Sequence, residues 1–255
     1  MVRRNVAHFI GIVGIAAVVA TIAQAPNAHA GVLHPRDVPV VVNDSEEIAL
    51  GAALIKQFDS DRGVDASKSS RAIEAYLQRV ADSLGRHTKR KLPWVIHYDS
   101  HPAIKSGFAL PGGHIVIWGG ALAYMSKEDE VAAIIAHEMA HTEEGQVNRR
   151  IDSLVAKTQR SVANPAQWNW REFGATYGET LEKVCDYEGA KLMVKAGYSP
   201  LGLKMLLQSF IALGTVHAPT TPPSRVIGDR VDQIDKEIVT EHWEALTALK
   251  PLRIP

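Results

Sequence analysis

The chain has 255 residues and one cysteine, and its 28 lysines and arginines balance its 28 aspartates and glutamates. The net charge says nothing about partners, but the sequence has no basic patch or nucleic-acid motif, which argues against a nucleic-acid partner. The lone Cys185 excludes an internal disulfide. The length is enough to bury one core, and nothing in the sequence requires a second domain.

The first 30 residues have the pattern of a secretory signal peptide. Arg3 and Arg4 give a basic start, residues 9–23 are apolar and uncharged, and Ala-His-Ala at 28–30 resembles a cleavage site. A membrane anchor is the alternative, but this run is short for a span of about 20 residues. We therefore expect an exported, periplasmic protein. Peripheral membrane association and the oligomeric state stay open.

Hydrophobic periodicity and turn signals predict mostly helical structure after an extended leader at 31–43. The expected fold class is α+β, with a small antiparallel sheet, in one domain at 44–255. A Pro-Gly-Gly turn precedes the second strand. Strands are predicted at 94–98 and 114–118, and helices at 45–58, 70–84, 178–197, 201–213 and 230–249.

The motif His137-Glu138-Met139-Ala140-His141 constrains the function most. On a helix, residues four apart share a face, so both imidazoles can bind one zinc ion. Zinc lowers the pKa of a bound water to about 7, and Glu138 is placed to act as its general base. A solvated helix face is the alternative. However, the wholly apolar stretch at 131–136 indicates a helix in the core, where unpaired polar groups are costly.

A catalytic zinc site needs a third protein ligand. The extended motif HExxHxxGxxH does not apply, because positions 144 and 147 hold glutamate and valine. The helix predicted at 178–197 carries Glu179, Glu182 and Asp186 on one face. One of them could bind zinc while another orients a ligating histidine, or the three could form a plain acidic surface.

Several motifs resemble, in order and spacing, the zinc metallopeptidases that include the HtpX-like membrane proteases and the CAAX prenyl proteases. The similarity extends to the soluble exported bacterial members and covers roughly residues 45–234. It implies a zincin-like domain of the gluzincin type with an HExxH active-site helix. The motifs lie at 91–94, 107–117, 128–141, 182–189 and 197–200.

The resemblance also implies site residues. It assigns one Zn²⁺ per chain to His137, His141 and Glu182, because the family's third ligand is the glutamate four residues before an aspartate. Asp186 would then orient a zinc-bound histidine. A loose match to a late His-Pro and Arg pattern puts forward His217 and Arg225 as catalytic residues that stabilise the oxyanion.

We therefore expect a zinc endopeptidase that cuts unfolded or misassembled envelope proteins in protein quality control. The predicted strand would add the substrate at an exposed edge, through Gly113, His114, Ile115, Val116 and Ile117. The alternatives are a holdase or assembly factor with little proteolysis and a zinc amidase acting on peptidoglycan peptides. Glu138 favours cutting, because a pure binder has no use for a general base.

A segment between the two metal-binding helices suggests a cover for the cleft. Residues 164–170 include Trp168 and Trp170 in a polar, proline-containing stretch, and His217 could occupy the fourth position on zinc. The ordinary alternative is two core tryptophans and a solvated histidine.

Overall fold

The structure of this protein is a computed structural model that describes residues 42–63, 65–175, 177–212 and 223–255. The predicted signal peptide at 1–30 lies outside the described residues, as do His217 and nearly all of the predicted leader. No helix in the described part of the chain is long and apolar enough to cross a membrane.

The mostly helical fold and the HExxH helix are confirmed. Each predicted helix is present with shifted ends, and two further helices, α3 and α5, were not predicted. α3 has only four residues, and α5 buries only Val147 and Ile151 among its apolar residues. The helices are α1 Asp44–Arg62, α2 Lys68–Gly85, α3 Gly119–Leu122, α4 Glu128–Glu143, α5 Gln146–Thr158, α6 Glu179–Lys195, α7 Leu201–Ala212 and α8 Pro223–Thr240.

The sheet is mixed, so the prediction of an antiparallel sheet is wrong. Its strands are β1 Val95–Asp99, β2 Gly107–Leu110 and β3 His114–Trp118, in the order β1-β3-β2. Gly112 and Gly113 have φ angles of 75° and 86°, and they form the reversal that makes β2 antiparallel to β3. β1 then pairs with the other side of β3 and runs parallel to it.

The central position of β3 contradicts the predicted substrate edge at Gly113, His114, Ile115, Val116 and Ile117. β1 and β2 pair with the two sides of β3, and the three apolar residues at 115–117 are 0% exposed. A short apolar run fits a fully buried strand as well as an edge strand, so periodicity could not separate the two. Both outer strands have an edge that does not pair with β3. In β1 the backbone N–H groups of Ile96 and Tyr98 donate to the side chains of Gln78 and Glu74, so the edge that no such side-chain bonds cover among the described strands is that of β2.

Helix α4 forms the centre of the core. Every residue from Asp129 to Thr142 is buried, and the helix packs against α2, the sheet, α6 and α7. The Asp129 carboxylate accepts the backbone N–H groups of Ser199, at 2.7 Å, and Lys250, at 2.5 Å. These two bonds fix the start of α4 to the segment before α7 and to the C-terminal segment.

The two tryptophans proposed to cover the cleft are core residues. Trp168 is 2% exposed and Trp170 is 8% exposed, and they pack in a cluster with Phe58 and Phe108. The indole N–H of Trp168 donates to the carbonyl of Ser161 at 3.0 Å. The covering-loop hypothesis is therefore wrong for these tryptophans, which are core residues as the ordinary alternative has them, whereas its histidine, His217, lies outside the described residues.

We expect Trp168→Ala to lower the free energy of unfolding by about 3–5 kcal/mol, because it removes a large buried ring. Tyr124→Ala, at a position that is 44% exposed, is the matched control and should cost less than about 1 kcal/mol. Urea denaturation of both variants measures this. Unchanged stability of Trp168→Ala, with increased proteolysis, would restore the covering loop.

Candidate metal centre

The candidate metal centre forms where α4 and α6 cross. At the crossing, a Cβ atom on Gly189 would lie 3.2 Å from the backbone nitrogen of His137. The missing side chain therefore allows the two helix backbones to approach closely. Glu182 and Asp186 lie two turns and one turn before Gly189, so the close approach brings both carboxylates to His137.

Three potential ligands converge at this crossing. His137 Nε2 lies 3.1 Å from Glu182 Oε2 and 3.2 Å from His141 Nε2. Each of the three residues offers one ligand atom, a ring nitrogen or a carboxylate oxygen, and these three atoms lie within 4.8 Å of one another. Imidazole nitrogen and carboxylate oxygen are both common zinc ligands.

The partners of the other ring nitrogens orient both imidazoles. His137 Nδ1 lies 3.0 Å from Asp186 Oδ1, and His141 Nδ1 lies 2.8 Å from Gln146 Oε1. The Gln146 oxygen favours a proton on Nδ1 of His141. The negative charge of Asp186 favours a proton on Nδ1 of His137, although the two atoms are not aligned as a hydrogen bond. Both Nε2 lone pairs are then left for the site shared with the Glu182 carboxylate. Three acceptors facing one another are what a cation can satisfy, so these residues fit zinc.

The charges around the site also favour a cation. Burial lowers the pKa of His137, but the carboxylates of Asp186 and Glu182 outweigh burial and raise this pKa to about 10. Burial and the neighbouring His137 lower the pKa of His141 to about 3. The two carboxylates therefore stabilise positive charge at this point, whether a proton or a metal ion carries it.

Arg230 of α8 completes the charge network. Its Nε and Nη2 atoms donate to the Asp186 carboxylate at 2.6 and 2.8 Å, and its Nη1 lies 3.5 Å from Glu182 Oε2. Burial raises the pKa of Asp186, but the bonds from Arg230 and the contact with His137 outweigh it and hold this pKa below its usual value. Asp186 is therefore an anion that is 0% exposed and fully paired.

Glu138 lies beside the ligands and is 8% exposed. Burial raises the pKa of its carboxyl to about 7, although a hydrogen bond from the backbone N–H of Ala109 opposes this shift. Since Ala109 belongs to β2, that bond joins the general-base candidate to the free edge of the sheet.

A cleft of about 340 Å³ opens onto the site. Residues 105–108, which lead into β2, form one side, and Tyr177 contributes a ring beside the metal ligands. The apolar part of the lining comes from α4, α7 and α8: Ile134, Leu203, Leu206, Leu207, Phe210 and Ile227.

The structure brings five of the predicted site residues together: His137, Glu138, His141, Glu182 and Asp186. The rejected ligand candidate Glu179 instead pairs with Lys183 at 2.7 Å, and its side chain is 43% exposed.

His217 lies outside the described residues. Arg225 belongs to α8, and its side chain lies outside the described part of the chain.

Sequence reasoning missed Arg230, Gln146 and Tyr177. A signal for Arg230 was present, because it lies three residues after Ile227 and four before Ile234, on the buried stripe of α8. A charged residue on such a stripe needs a buried partner, and Asp186 is that partner. Gln146 begins α5 and Tyr177 precedes α6, and neither residue lies in a sequence pattern that marks it as part of the site.

Known proteins resemble this chain over much of its length. Residues 67–238 match the family model described as Peptidase family M48. The mitochondrial metalloendopeptidase OMA1 of Schizosaccharomyces pombe (strain 972 / ATCC 24843) is 30% identical over 125 residues, 45% of this chain and 37% of the relative. The mitochondrial metalloendopeptidase OMA1 of Saccharomyces cerevisiae (strain ATCC 204508 / S288c) is 28% identical over 121 residues, 43% of this chain and 34% of the relative.

The chain thus matches little more than a third of the length of these curated relatives. Both relatives are described as mitochondrial, and this contradicts the predicted exported, periplasmic localisation. A basic N-terminal segment without acidic residues is common to more than one kind of targeting signal, so the pattern was not specific to export.

We expect Glu182→Ala to weaken zinc binding far more than Glu179→Ala, because only Glu182 faces the two imidazoles. The two glutamates lie in the first turn of the same helix, so Glu179→Ala controls for helix stability. Zinc content after dialysis and competitive chelator titration measure the difference. Loss of zinc from Glu179→Ala alone would show that the third ligand is wrongly assigned.

Proposed function

The chain belongs to peptidase family M48, and on that premise we propose that it is a zinc metalloendopeptidase that cuts extended segments of unfolded or misassembled proteins. The observation that carries this proposal is the meeting of His137, His141 and Glu182 with the buried carboxylate of Glu138 in one cleft. When bound, zinc supplies a Lewis acid that activates water and polarises the scissile carbonyl.

Glu138 moves the proton in this proposal. Its carboxylate accepts a proton from the attacking water and then donates it to the leaving nitrogen of the cut peptide bond. Glu138 lines the cleft, and the contact with the Ala109 N–H holds its carboxylate beside β2. Asp186 and Gln146 hold the two imidazoles in place from behind, so the reacting groups are oriented before substrate arrives.

The free edge of β2 provides the binding site for the substrate main chain, in place of the edge predicted at β3. The N–H of Trp118 donates to the carbonyl of Ser106 at 3.2 Å. Because antiparallel pairs alternate, the backbone groups of Gly107 and Ala109 then point away from β3. The Ala109 N–H meets Glu138, and the backbone of Gly107 lies along the cleft, where an extended peptide can pair with it.

The apolar wall supports an unfolded substrate. Leu203, Leu206 and Leu207 line the same cleft as Gly107 and Phe108 of β2. An unfolded chain exposes both the apolar side chains that fit this wall and the unpaired main chain that fits the strand edge. Main-chain pairing carries little sequence information, so we propose broad specificity with a preference for large apolar residues.

The two alternative functions fit less well. A holdase would use the strand edge and the apolar wall, but it would gain nothing from Glu138, whose burial is costly. A zinc amidase for peptidoglycan peptides would need polar contacts where the cleft presents Leu203, Leu206 and Leu207.

Glu138→Gln tests the general base. We expect it to keep zinc and the fold while hydrolysis of unfolded casein falls by at least about 10²-fold, because the amide cannot transfer the proton. Zinc content, the melting temperature and peptide release are measured on both proteins. Equal turnover would remove the proposed mechanism, and tight casein binding without cleavage by the wild type would favour the holdase.

A series of N-methylated peptides tests the strand edge. Each methyl group deletes one N–H of an extended substrate, and only alternate N–H groups face a neighbouring strand. We therefore expect the inhibition constant to worsen at every second position and to stay near that of the parent peptide at the positions between. A uniform loss along the peptide would contradict pairing with β2.

A further inference from the structure

We propose that Tyr177 is a further catalytic residue, whose phenol hydroxyl donates a hydrogen bond to the scissile carbonyl oxygen as the peptide bond is cut. This inference rests on the proposed function. It concerns the donor that must accompany the metal, because negative charge develops on that oxygen in the transition state.

Tyr177 touches two of the metal-ligand candidates. Its ring stacks on the ring of His141, with centroids 4.3 Å apart and an interplanar angle of 25°. Its backbone N–H donates to Glu182 Oε1 at 3.3 Å. The residue also lines the cleft, together with the three ligand candidates and Glu138.

The ring is held in place by neighbours that do not bind its hydroxyl. The guanidinium of Arg150 lies 3.7 Å from the ring centroid, and the same guanidinium donates to the carbonyl of Phe173 at 3.0 Å. These contacts involve the face of the ring. The position of the phenol is thus fixed without any use of its O–H group.

The hydroxyl of Tyr177 is buried and has no hydrogen-bond partner among the described residues. Buried O–H groups nearly always have a partner, because leaving one unpaired costs free energy. An unpaired donor in an active-site cleft is therefore expected to meet its acceptor when the substrate binds.

The other donor side chains in the described part of the cleft are engaged. The Ser106 hydroxyl donates to the carbonyl of Gly107 at 3.0 Å, and Arg230 binds Asp186 through Nε and Nη2. The ammonium of Lys105 lies 4.8 Å from the ring centroid of Tyr124. The sequence put forward His217 and Arg225 for this role, but Tyr177 is the donor that the described cleft presents.

Tyr177→Phe tests the proposal in the full, zinc-loaded chain, because it deletes the hydroxyl and keeps the stacked ring. We expect kcat to fall by about 10²-fold with KM, zinc content and melting temperature unchanged. Tyr124→Phe, which deletes an exposed phenol outside the cleft, is the control and should keep wild-type kcat.

A second measurement does not depend on turnover. A phosphinic peptide carries a tetrahedral oxyanion at the scissile position, so Tyr177→Phe should weaken its binding by about the factor lost in kcat. The affinity for the product peptides, which lack the tetrahedral oxyanion, should not change.

Equal affinity of wild type and Tyr177→Phe for the phosphinic peptide would overturn the role of Tyr177 and leave the proposed function intact. Normal kcat in Tyr177→Phe together with zinc loss in Tyr177→Ala would also overturn it, since the ring would then only position His141. A wild type that binds the phosphinic peptide but cuts nothing would refute the proposed function. The binding ratio of the two proteins would still decide the role of the hydroxyl.

Discussion

The Nε2 atoms of His137 and His141 and the carboxylate of Glu182 meet in the interior of the protein, with ligand atoms within 4.8 Å of one another. All three offer lone pairs to the same point, and burying such groups without a donor is costly. A cation at that point removes the cost.

The surrounding structure maintains this arrangement of the ligands. Gly189 permits the helix crossing, and Gln146 and Asp186 orient the imidazole rings. Arg230 neutralises the charge of Asp186.

Much of this site could be predicted from the sequence because its information is local. The spacing of His137 and His141 places both imidazoles on one face of α4, and the apolar residues at 131–136 place that helix in the core. The acidic face of α6 restricted the third ligand to a few carboxylates. Periodicity alone could not choose between Glu179 and Glu182, and that choice needed the family resemblance.

The features that sequence analysis missed depend on contacts between distant segments. The apolar run of β3 does not reveal that β1 and β2 occupy its two sides, so the substrate edge was placed on the wrong strand. β2 has four residues and begins with Gly107, which gives a weak strand signal. Trp168 and Trp170 lie in a polar segment, and only the tertiary structure shows that they pack against α1 and β2.

X-ray absorption at the zinc K-edge of the purified protein tests the central claim most directly. The account predicts a site with two imidazole nitrogens and otherwise oxygen ligands, at about 2.0–2.2 Å. Cys185 Sγ lies 3.2 Å from His141 Nδ1 and is the nearby soft ligand that this account leaves out. A zinc–sulfur distance of about 2.3 Å, or a site with a single imidazole, would contradict it.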